Sequence, residues 1–311
     1  MDYEPVRRDT PACSFCGEPA VIHQRQAGRY LCGTHLIADL GQRVSETIVA
    51  QKQIVPGDRV AVALSGGKDS TALLLILHHL FGFRGDIRLI AVTVDEGISG
   101  YREATVRSAG DLVHRLGVEH ITVSFEELYG HSLDTFLKGR EHQACSICGI
   151  LRKKALVAGA ERAKATKLAT GHNLDDEAQS VLMNVLRGDL VRLVRDSGRE
   201  SSGRFIPRIK PLMYVQEKEI ATCLMVQGIW DDLPECPYAI HALRREVRSL
   251  LSGLEYRHPG TMLRLMENKK TVAAAFLQKA AGEPPGACRE CGDPCSGETC
   301  QVCRLRHSLG F

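Results

Sequence analysis

One heptapeptide, Leu64-Ser65-Gly66-Gly67-Lys68-Asp69-Ser70, limits what this chain can fold into more than any other feature. The run that ends in it, Asp58-Arg59-Val60-Ala61-Val62-Ala63-Leu64, is apolar, rich in valine and as long as a buried strand. Residues 71–80, just after it, are dominated by leucine and other good helix formers. The heptapeptide must therefore turn a strand into a helix at the carboxyl edge of a sheet. Its two glycines permit positive φ and a close approach of ligand to backbone. The following helix aims unpaired N–H groups and a partial positive charge into the turn. Ser65 and Ser70 add hydroxyls and Lys68 adds a point charge, so the turn reads as a phosphate cradle. It is not a Walker A loop, because Lys68 directly follows Gly67 and Asp69 follows Lys68. A tight turn with incidental serines would use the same glycines, but it gives hydroxyls and lysine no reason to converge.

Strand and helix signals then alternate. Helices are expected over 36–53, 101–116, 150–166 and 174–186, and strands over 87–94, 120–124 and 167–170. Pro56-Gly57-Asp58 is a turn before the first strand. This order predicts an α/β fold with a parallel, doubly wound sheet covered on both faces. Right-handed crossovers put the loops after the strands on one edge. Residues 65–70, Asp95-Glu96-Gly97 and the stretch Gly171-His172-Asn173-Leu174-Asp175-Asp176-Glu177 should therefore share one pocket. In the last of these, a glycine ends a strand and acids open a helix. Capping accounts for Asp175 in part, while paired acids beside a phosphate cradle could hold Mg²⁺ or handle protons.

The 311 residues are 44% hydrophobic and 25% charged, an ordinary globular composition. No apolar run reaches the ~20 residues of a membrane span, and Met1-Asp2-Tyr3-Glu4-Pro5 lacks the apolar core of a signal peptide. A cytoplasmic, membrane-free protein is expected, in which twelve cysteines suggest metals rather than disulfides. Cys13-x2-Cys16, fifteen residues, then Cys32-x2-His35 has the spacing of a tetrahedral zinc site. Cys288-x2-Cys291, eight residues, then Cys300-x2-Cys303 is a second one. Four protein ligands leave no open position, so both read as structural. Cys145-Ser146-Ile147-Cys148-Gly149, expected just before a helix, is open to three readings: a redox dithiol, half a zinc site, or part of an iron–sulfur site. Cys236, in Pro-Glu-Cys-Pro-Tyr, could join it. Cys223 reads as core, and Cys295 has no assignment.

Net charge is only +3, so binding to nucleic acid must rest on local patches. Arg187, Arg192, Arg195, Arg199, Arg204, Arg208 and Lys210 surround a loop at Ser201-Ser202-Gly203. His241, Arg244, Arg245 and Arg248 recur at helical spacing, with Val247, Leu250 and Leu251 facing the other way. Arg257, His258, Lys269 and Lys270 extend this stretch. Both patches suit a polyphosphate backbone, and a solvated surface would have the same composition. Between them Pro211-Leu212-Met213-Tyr214-Val215-Gln216-Glu217-Lys218-Glu219 starts a helix to about residue 227. The linker Gly282-Glu283-Pro284-Pro285-Gly286 precedes the last cysteines. Four units are expected: a zinc finger over 1–40, a catalytic domain over 41–230, a basic helical region over 231–281 and a second zinc finger over 282–311.

Ser-Gly-Gly-Lys-Asp-Ser after a strand resembles the PP-loop of N-type ATP pyrophosphatases, which cleave ATP to AMP and pyrophosphate. Knuckles at both ends, the PP-loop, Cys145, Cys148 and Cys236, and Gly171 to Asp176 together resemble the tRNA 2-thiouridine synthetases. The pattern is most similar to the group acting on 5-methyluridine 54, with wobble uridine 34 and cytidine 32 as alternatives. The resemblance implies an adenine-nucleotide α-hydrolase-like fold. ATP would meet Ala63, Leu64, Ser65, Gly66, Gly67, Lys68, Asp69 and Ser70, together with Val94 and Asp95 at adenine, Gly171 and Asp175. It implies that Cys145, Cys148 and Cys236 hold a [4Fe–4S] cluster with one iron open. Asp176 would be catalytic, together with a basic residue for which Arg152 and Lys153 are the candidates. AMP would activate the uridine O2, with Mg²⁺ sharing the phosphate charge, before sulfur displaces it. The implied partners are tRNA, a ubiquitin-like thiocarboxylate carrier of sulfur and a second copy of the chain. A small-molecule adenylating ligase lacks a use for the basic stretches and fingers, and a non-catalytic RNA-binding zinc protein lacks one for the PP-loop.

Overall fold

A computed structural model describes residues 10–189, 192–193, 206–229, 233–238, 243–277, 286–295 and 297–311. Arg195, Arg199, Arg204, the Ser201-Ser202-Gly203 loop, His241 and positions 282–285 of the linker lie outside them.

The chain starts with a hairpin, β1 (Ile22–Gln24) and β2 (Arg29–Leu31), that leads into α1 (Gly33–Ala50). The α/β order follows as β3 (Arg59–Ala63), α2 (Lys68–Phe81), β4 (Arg88–Asp95), α3 (Arg102–Leu116) and β5 (Glu119–Ser124). Two short helices, α4 (Phe125–Tyr129) and α5 (Leu133–Phe136), precede α6 (Ala144–Arg162). Next come β6 (Lys167–Ala169), α7 (Leu174–Leu186), β7 (Arg208–Ile209) and α8 (Glu217–Val226). A helical pair, α9 (Leu243–Arg257) and α10 (Thr261–Leu277), leads to a small hairpin, β8 (Gly286–Ala287) and β9 (Pro294–Cys295), and to α11 (Gln301–Leu309).

The central sheet is parallel throughout, in the order β5-β4-β3-β6-β7. The expected parallel, doubly wound class is thus observed. Strand alternation sorts the core into two sides. Val60, Val62 and Ala91 face α1, α2, α3 and α8, while Ala61, Ile90 and Val92 face α6. Gly159 lets α6 sit close, since a Cβ there would come 2.4 Å from Val92 Cγ1. Strand order reverses between β3 and β6, the switch point where ligands bind in open α/β sheets. The loops after those two strands are the PP-loop and 170–173.

Helix α6 begins earlier than the sequence suggested, so Cys145 and Cys148 occupy its first turns rather than a preceding loop. No proline or glycine separates Ala144 from Cys148, and the i, i+3 spacing puts both thiols along one side of the helix. The Pro211 segment forms turns first, and its helix starts only at Glu217. Leu250 is 52% exposed, whereas Val247 and Leu251 are buried against α7 and α10. The i, i+4 pair makes the packing stripe and Leu250 falls on its flank.

Candidate active site and metal centres

The cradle forms as the sequence suggested. Gly66 has φ +86°, and a Cβ there would lie 2.0 Å from the Thr105 carbonyl oxygen of α3. Gly171 brings the loop after β6 so close that a Cβ would stand 3.0 Å from the Asp69 carbonyl and the Ser70 nitrogen. Hydroxyls brace the turn: Ser65 N–H donates to Ser70 Oγ (3.1 Å) and Ser70 Oγ donates to the Gly67 carbonyl (2.9 Å). Gly67 and Lys68 open α2, whose first N–H groups face the loop.

Lys68 Nζ lies 3.0 Å from Asp69 Oδ2 and 2.8 Å from Glu217 Oε1. Burial pulls its pKa down, but the two carboxylates outweigh it and the ammonium is held more firmly charged than usual. The Asp69 pKa is raised too, chiefly by burial, which disfavours its charge, and Asn173 Nδ2 donates to its Oδ1 (3.0 Å). Asp175 is pushed up to about 6, first by burial and then by Glu217 and Asp176. The two acids exchange the roles that capping alone suggested. Asp176 makes the capping box of α7 with Asn173, whereas Asp175 Oδ2 accepts the Glu217 N–H (2.8 Å) at the start of α8. Asp69, Asp175, Asp176 and Glu217 are the carboxylates that could share Mg²⁺ with a nucleotide. Burial lowers the pKa of His172, whose Nδ1 lies 2.9 Å from Thr170 Oγ1.

Sequence reasoning missed the residues that tie the pocket together. Arg102, 3% exposed, donates to the Ser65 carbonyl (2.9 Å) and to the Val94 carbonyl. Its Nε is 2.7 Å from Glu96 Oε2, and Arg152 Nε is 2.5 Å from Glu96 Oε1. The Val94 carbonyl, expected at adenine, thus already holds Arg102, and Asp95 Oδ1 accepts the Gly97 N–H (2.9 Å). Arg244 and Arg248, expected only as contacts for nucleic acid, and Glu217, expected only at the start of a helix, also reach the pocket. Arg248 lies 2.6 Å from Glu217 Oε1, and Arg244 is 3.5 Å from Asp176 Oδ1. No spacing rule links an arginine on α9 to acids on α7 and α8; only the helical pair's packing brings them together.

The central thiols stand beside the bridge. Arg152 donates to Cys148 Sγ (3.0 Å), Cys145 Sγ lies 3.7 Å from the Tyr238 carbonyl, and Cys236 packs against the apolar cluster that contains Cys148. Burial pushes the pKa of Cys148 up to about 11, with Arg152 pulling the opposite way. As a free thiol it stays protonated near neutrality, and a metal must deprotonate it. Both basic candidates are exposed on α6, and Arg152 reaches Glu96 and Cys148.

Both terminal knuckles close. Cys13, Cys16, Cys32 and His35 bring their ligand atoms within 4.8 Å of one another, as do Cys288, Cys291, Cys300 and Cys303. Cys16 and Cys32 sulfurs are 3.7 Å apart, Cys291 and Cys300 3.6 Å, and Cys288 and Cys303 3.8 Å. A tetrahedron with 2.3 Å Zn–S bonds has an edge of about 3.8 Å, so the donors fit zinc. His35 would bind through Nδ1, 3.3 Å from Cys32 Sγ. Backbone N–H groups of Cys291 and Cys300 hold the Cys288 thiol down at about 6.

The basic stretches divide. Lys210 (2.6 Å) and Lys269 (3.7 Å, 6% exposed) neutralise buried Glu177, so neither is free for RNA. Lys270 lies over the Tyr214 ring. Arg244, Arg245, Arg248, Arg257 and His258 remain exposed on and just after α9.

Fold and pocket together define a PP-loop α/β protein with two closed cysteine knuckles. The family described as "PP-loop domain" matches residues 39–232, and "2-thiouridine synthetase TtuA, N-terminal LIM domain" matches 13–37. The "tRNA 2-thiolation protein NcsA" of Haloferax volcanii is 36% identical over 96% of this chain and 98% of its own length. "Cytoplasmic tRNA 2-thiolation protein 1" of Bos taurus is 38% identical over 96% of this chain and 88% of its own. Among solved structures, the "U34-tRNA thiolase NcsA from Methanococcus maripaludis with its [4Fe-4S] cluster" superposes with a TM-score of 0.85 at 31% identity, covering 97% and 98% of the two chains. The chain belongs to the family of PP-loop tRNA 2-thiolation proteins. Special closeness to the group acting on uridine 54 gains no support from the relatives' names: the solved relative is described as a U34 enzyme.

Proposed function

We propose that this chain is an ATP-dependent tRNA 2-thiolation enzyme of the cytoplasm, acting on uridine 34. The observation that carries the reading is that the phosphate cradle and Cys148 are joined at one edge of the sheet through Arg102, Glu96 and Arg152. Activating an oxygen and delivering a sulfur can then happen on the same base.

The uracil O2 is a poor leaving group as hydroxide and a good one once it carries AMP. Attack of O2 on the α-phosphorus of ATP releases pyrophosphate; sulfur then bonds to C2 and AMP departs. In this reading the loop N–H groups, Ser65, Ser70 and Lys68 hold the phosphates, and Asp69, Asp175, Asp176 and Glu217 supply carboxylates for Mg²⁺. In this reading Asp176 and Arg152 are the acid and the base-side cation that act on the reacting uridine. Cys145 and Cys148, three residues apart on α6, and Cys236, packed in the same cluster as Cys148, are the thiols that would hold a [4Fe–4S] cluster. Such a cluster, when bound, offers a fourth iron to carry sulfur. Arg244, Arg245 and Arg248 line the approach and suit the tRNA backbone. A ubiquitin-like thiocarboxylate carrier as sulfur source and a homodimer as working unit complete the reading and rest on family resemblance alone.

Nucleosides mapped by mass spectrometry, from tRNA of a strain lacking this chain, test it. Loss of 2-thiouridine at position 34 is expected, restored by the parent gene and not by Lys68→Ala. Loss at position 54 instead would move the substrate, and intact thiolation at both would end the proposal.

A further inference from the structure

Glu96 is 2% exposed and lies on the loop after β4, and nothing in the proposed chemistry uses it. A buried carboxylate is costly unless paired and hydrogen-bonded. Here two guanidiniums pair with it as ions, one from α3 and one from α6, helices that pack on opposite faces of the sheet; Arg102 Nε and Glu96 Oε2 are close but not aligned for a hydrogen bond. The carboxylate thus spans the sheet's carboxyl edge. One guanidinium, Arg102, reaches on to the Ser65 carbonyl of the PP-loop and the Val94 carbonyl of β4. The other, Arg152, reaches on to Cys148 Sγ.

We propose that Glu96 is a positioning residue that couples the nucleotide cradle to Cys148, so that occupation of one is felt at the other. Such a coupling uses rigid contacts rather than distance. Phosphates that draw the PP-loop taut fix the Ser65 carbonyl; that carbonyl fixes Arg102, Arg102 fixes Glu96, and Glu96 fixes the Arg152 donor on the sulfur. The coupling is reciprocal, as any linkage between two sites must be. It would let sulfur chemistry wait until ATP is bound. The inference rests on the thiolation reading for its purpose, but its test needs no tRNA and no sulfur.

The test uses the full-length, cluster-free protein under reducing, anaerobic conditions. Iodoacetamide labels the thiols, and fragment mass spectra separate Cys148 from Cys145 in their shared peptide. Exposed Cys145 serves as the internal reference, and Cys148 labels through local opening. With ATP and Mg²⁺ present, labelling of Cys148 should slow about fivefold relative to Cys145, the low end of ordinary coupling. In Glu96→Gln, ATP still binds but the ratio no longer responds. Arg152→Met keeps the Glu96–Arg102 half and cuts the sulfur end, so it should lose the response too, and it decides the matter if Glu96→Gln does not fold. A wild-type protein that binds ATP without any change at Cys148 overturns the coupling and leaves the thiolation reading standing. So does a folded Glu96→Gln that keeps the full response. A wild-type protein that binds no ATP overturns both.

Discussion

The terminal knuckles and the central thiols use the same residue, and their surroundings could hardly differ more. Each knuckle places one Cys-x2-Cys pair in a turn and the other ligand pair at the N-cap and third position of a helix, Cys32 and His35 on α1, Cys300 and Cys303 on α11. Their donors turn toward one another and close a tetrahedron. The central thiols turn toward other groups instead, Cys148 to a guanidinium and Cys145 to a backbone carbonyl. A closed set has satisfied its metal and can only stabilise; an open set, with a cation poised beside it, can still exchange a ligand. The knuckles are therefore anchors and the centre is the workplace. The N-terminal anchor is wired into the core through Gln24, which donates to fully buried Glu219 (2.7 Å). The C-terminal one clamps α6 through Lys154–Asp293 (2.6 Å) and α5 through Phe311 against Phe136.

The sharpest break of this comparison removes one thiol from each kind of site. Cys148→Ser should reduce tRNA thiolation by more than ~100-fold, beyond what losing a partner behind a metal ligand costs, while zinc per chain stays unchanged. A fall in zinc by metal analysis would make the centre a third knuckle and undo the distinction. Cys300→Ala should do the reverse. It deletes a ligand and an N-cap together, so one zinc is lost and stability drops by about 3 kcal/mol, read from the urea midpoint. Unchanged stability would mean that the C-terminal knuckle clamps nothing.

A smaller effect is expected where the basic helix meets the acids. Arg244→Ala with Arg248→Ala should weaken tRNA binding roughly tenfold and lower the salt slope by about 2, one for each phosphate no longer neutralised. A drop in affinity with an unchanged slope would assign both arginines to Asp176 and Glu217 alone, and remove them from the RNA surface.

The parts legible in the sequence are those with local causes. A valine strand, two glycines and a leucine helix specify the PP-loop without help from elsewhere, and Cys-x2-Cys spacing fixes each knuckle because one metal must be reached by a short chain. Arg102, Glu96 and Glu217 left no such mark. Arg102 opens an ordinary amphipathic helix, and Glu96, although its loop was expected at the pocket, carries no sign of the two arginines it pairs with. Their importance arises only when α3, α6 and the PP-loop meet at the switch point, which is a property of topology. Lys210 and Lys269 erred in the other direction: counted as surface charge, they are held by buried Glu177, because charge runs do not reveal which side chain a fold turns inward.

The smallest effect tests the electrostatics of the workplace itself. Asp175 titrates near 6 in the folded protein because burial and two neighbouring acids disfavour its charge. In the unfolded chain it returns to about 3.9. A carboxyl with a raised folded pKa contributes stability that is fully present below the unfolded value and lost as pH rises through the folded one. At pH 7.5 the ionised group is therefore a burden, which Asp175→Asn removes while its amide oxygen can still accept the Glu217 N–H. The variant should be more stable than the parent by on the order of 1 kcal/mol at pH 7.5, with the difference shrinking toward pH 5 as the parent takes up its proton. Zinc loss in acid affects both proteins alike and cancels in the comparison. Asp293 on the C-terminal knuckle is instead paired with Lys154, and Asp293→Asn, which breaks that ion pair, should destabilise at pH 7.5. Opposite signs for the two substitutions, measured by thermal melts across that range, would locate the strain at the site and the stability at the anchors; equal signs would erase the contrast.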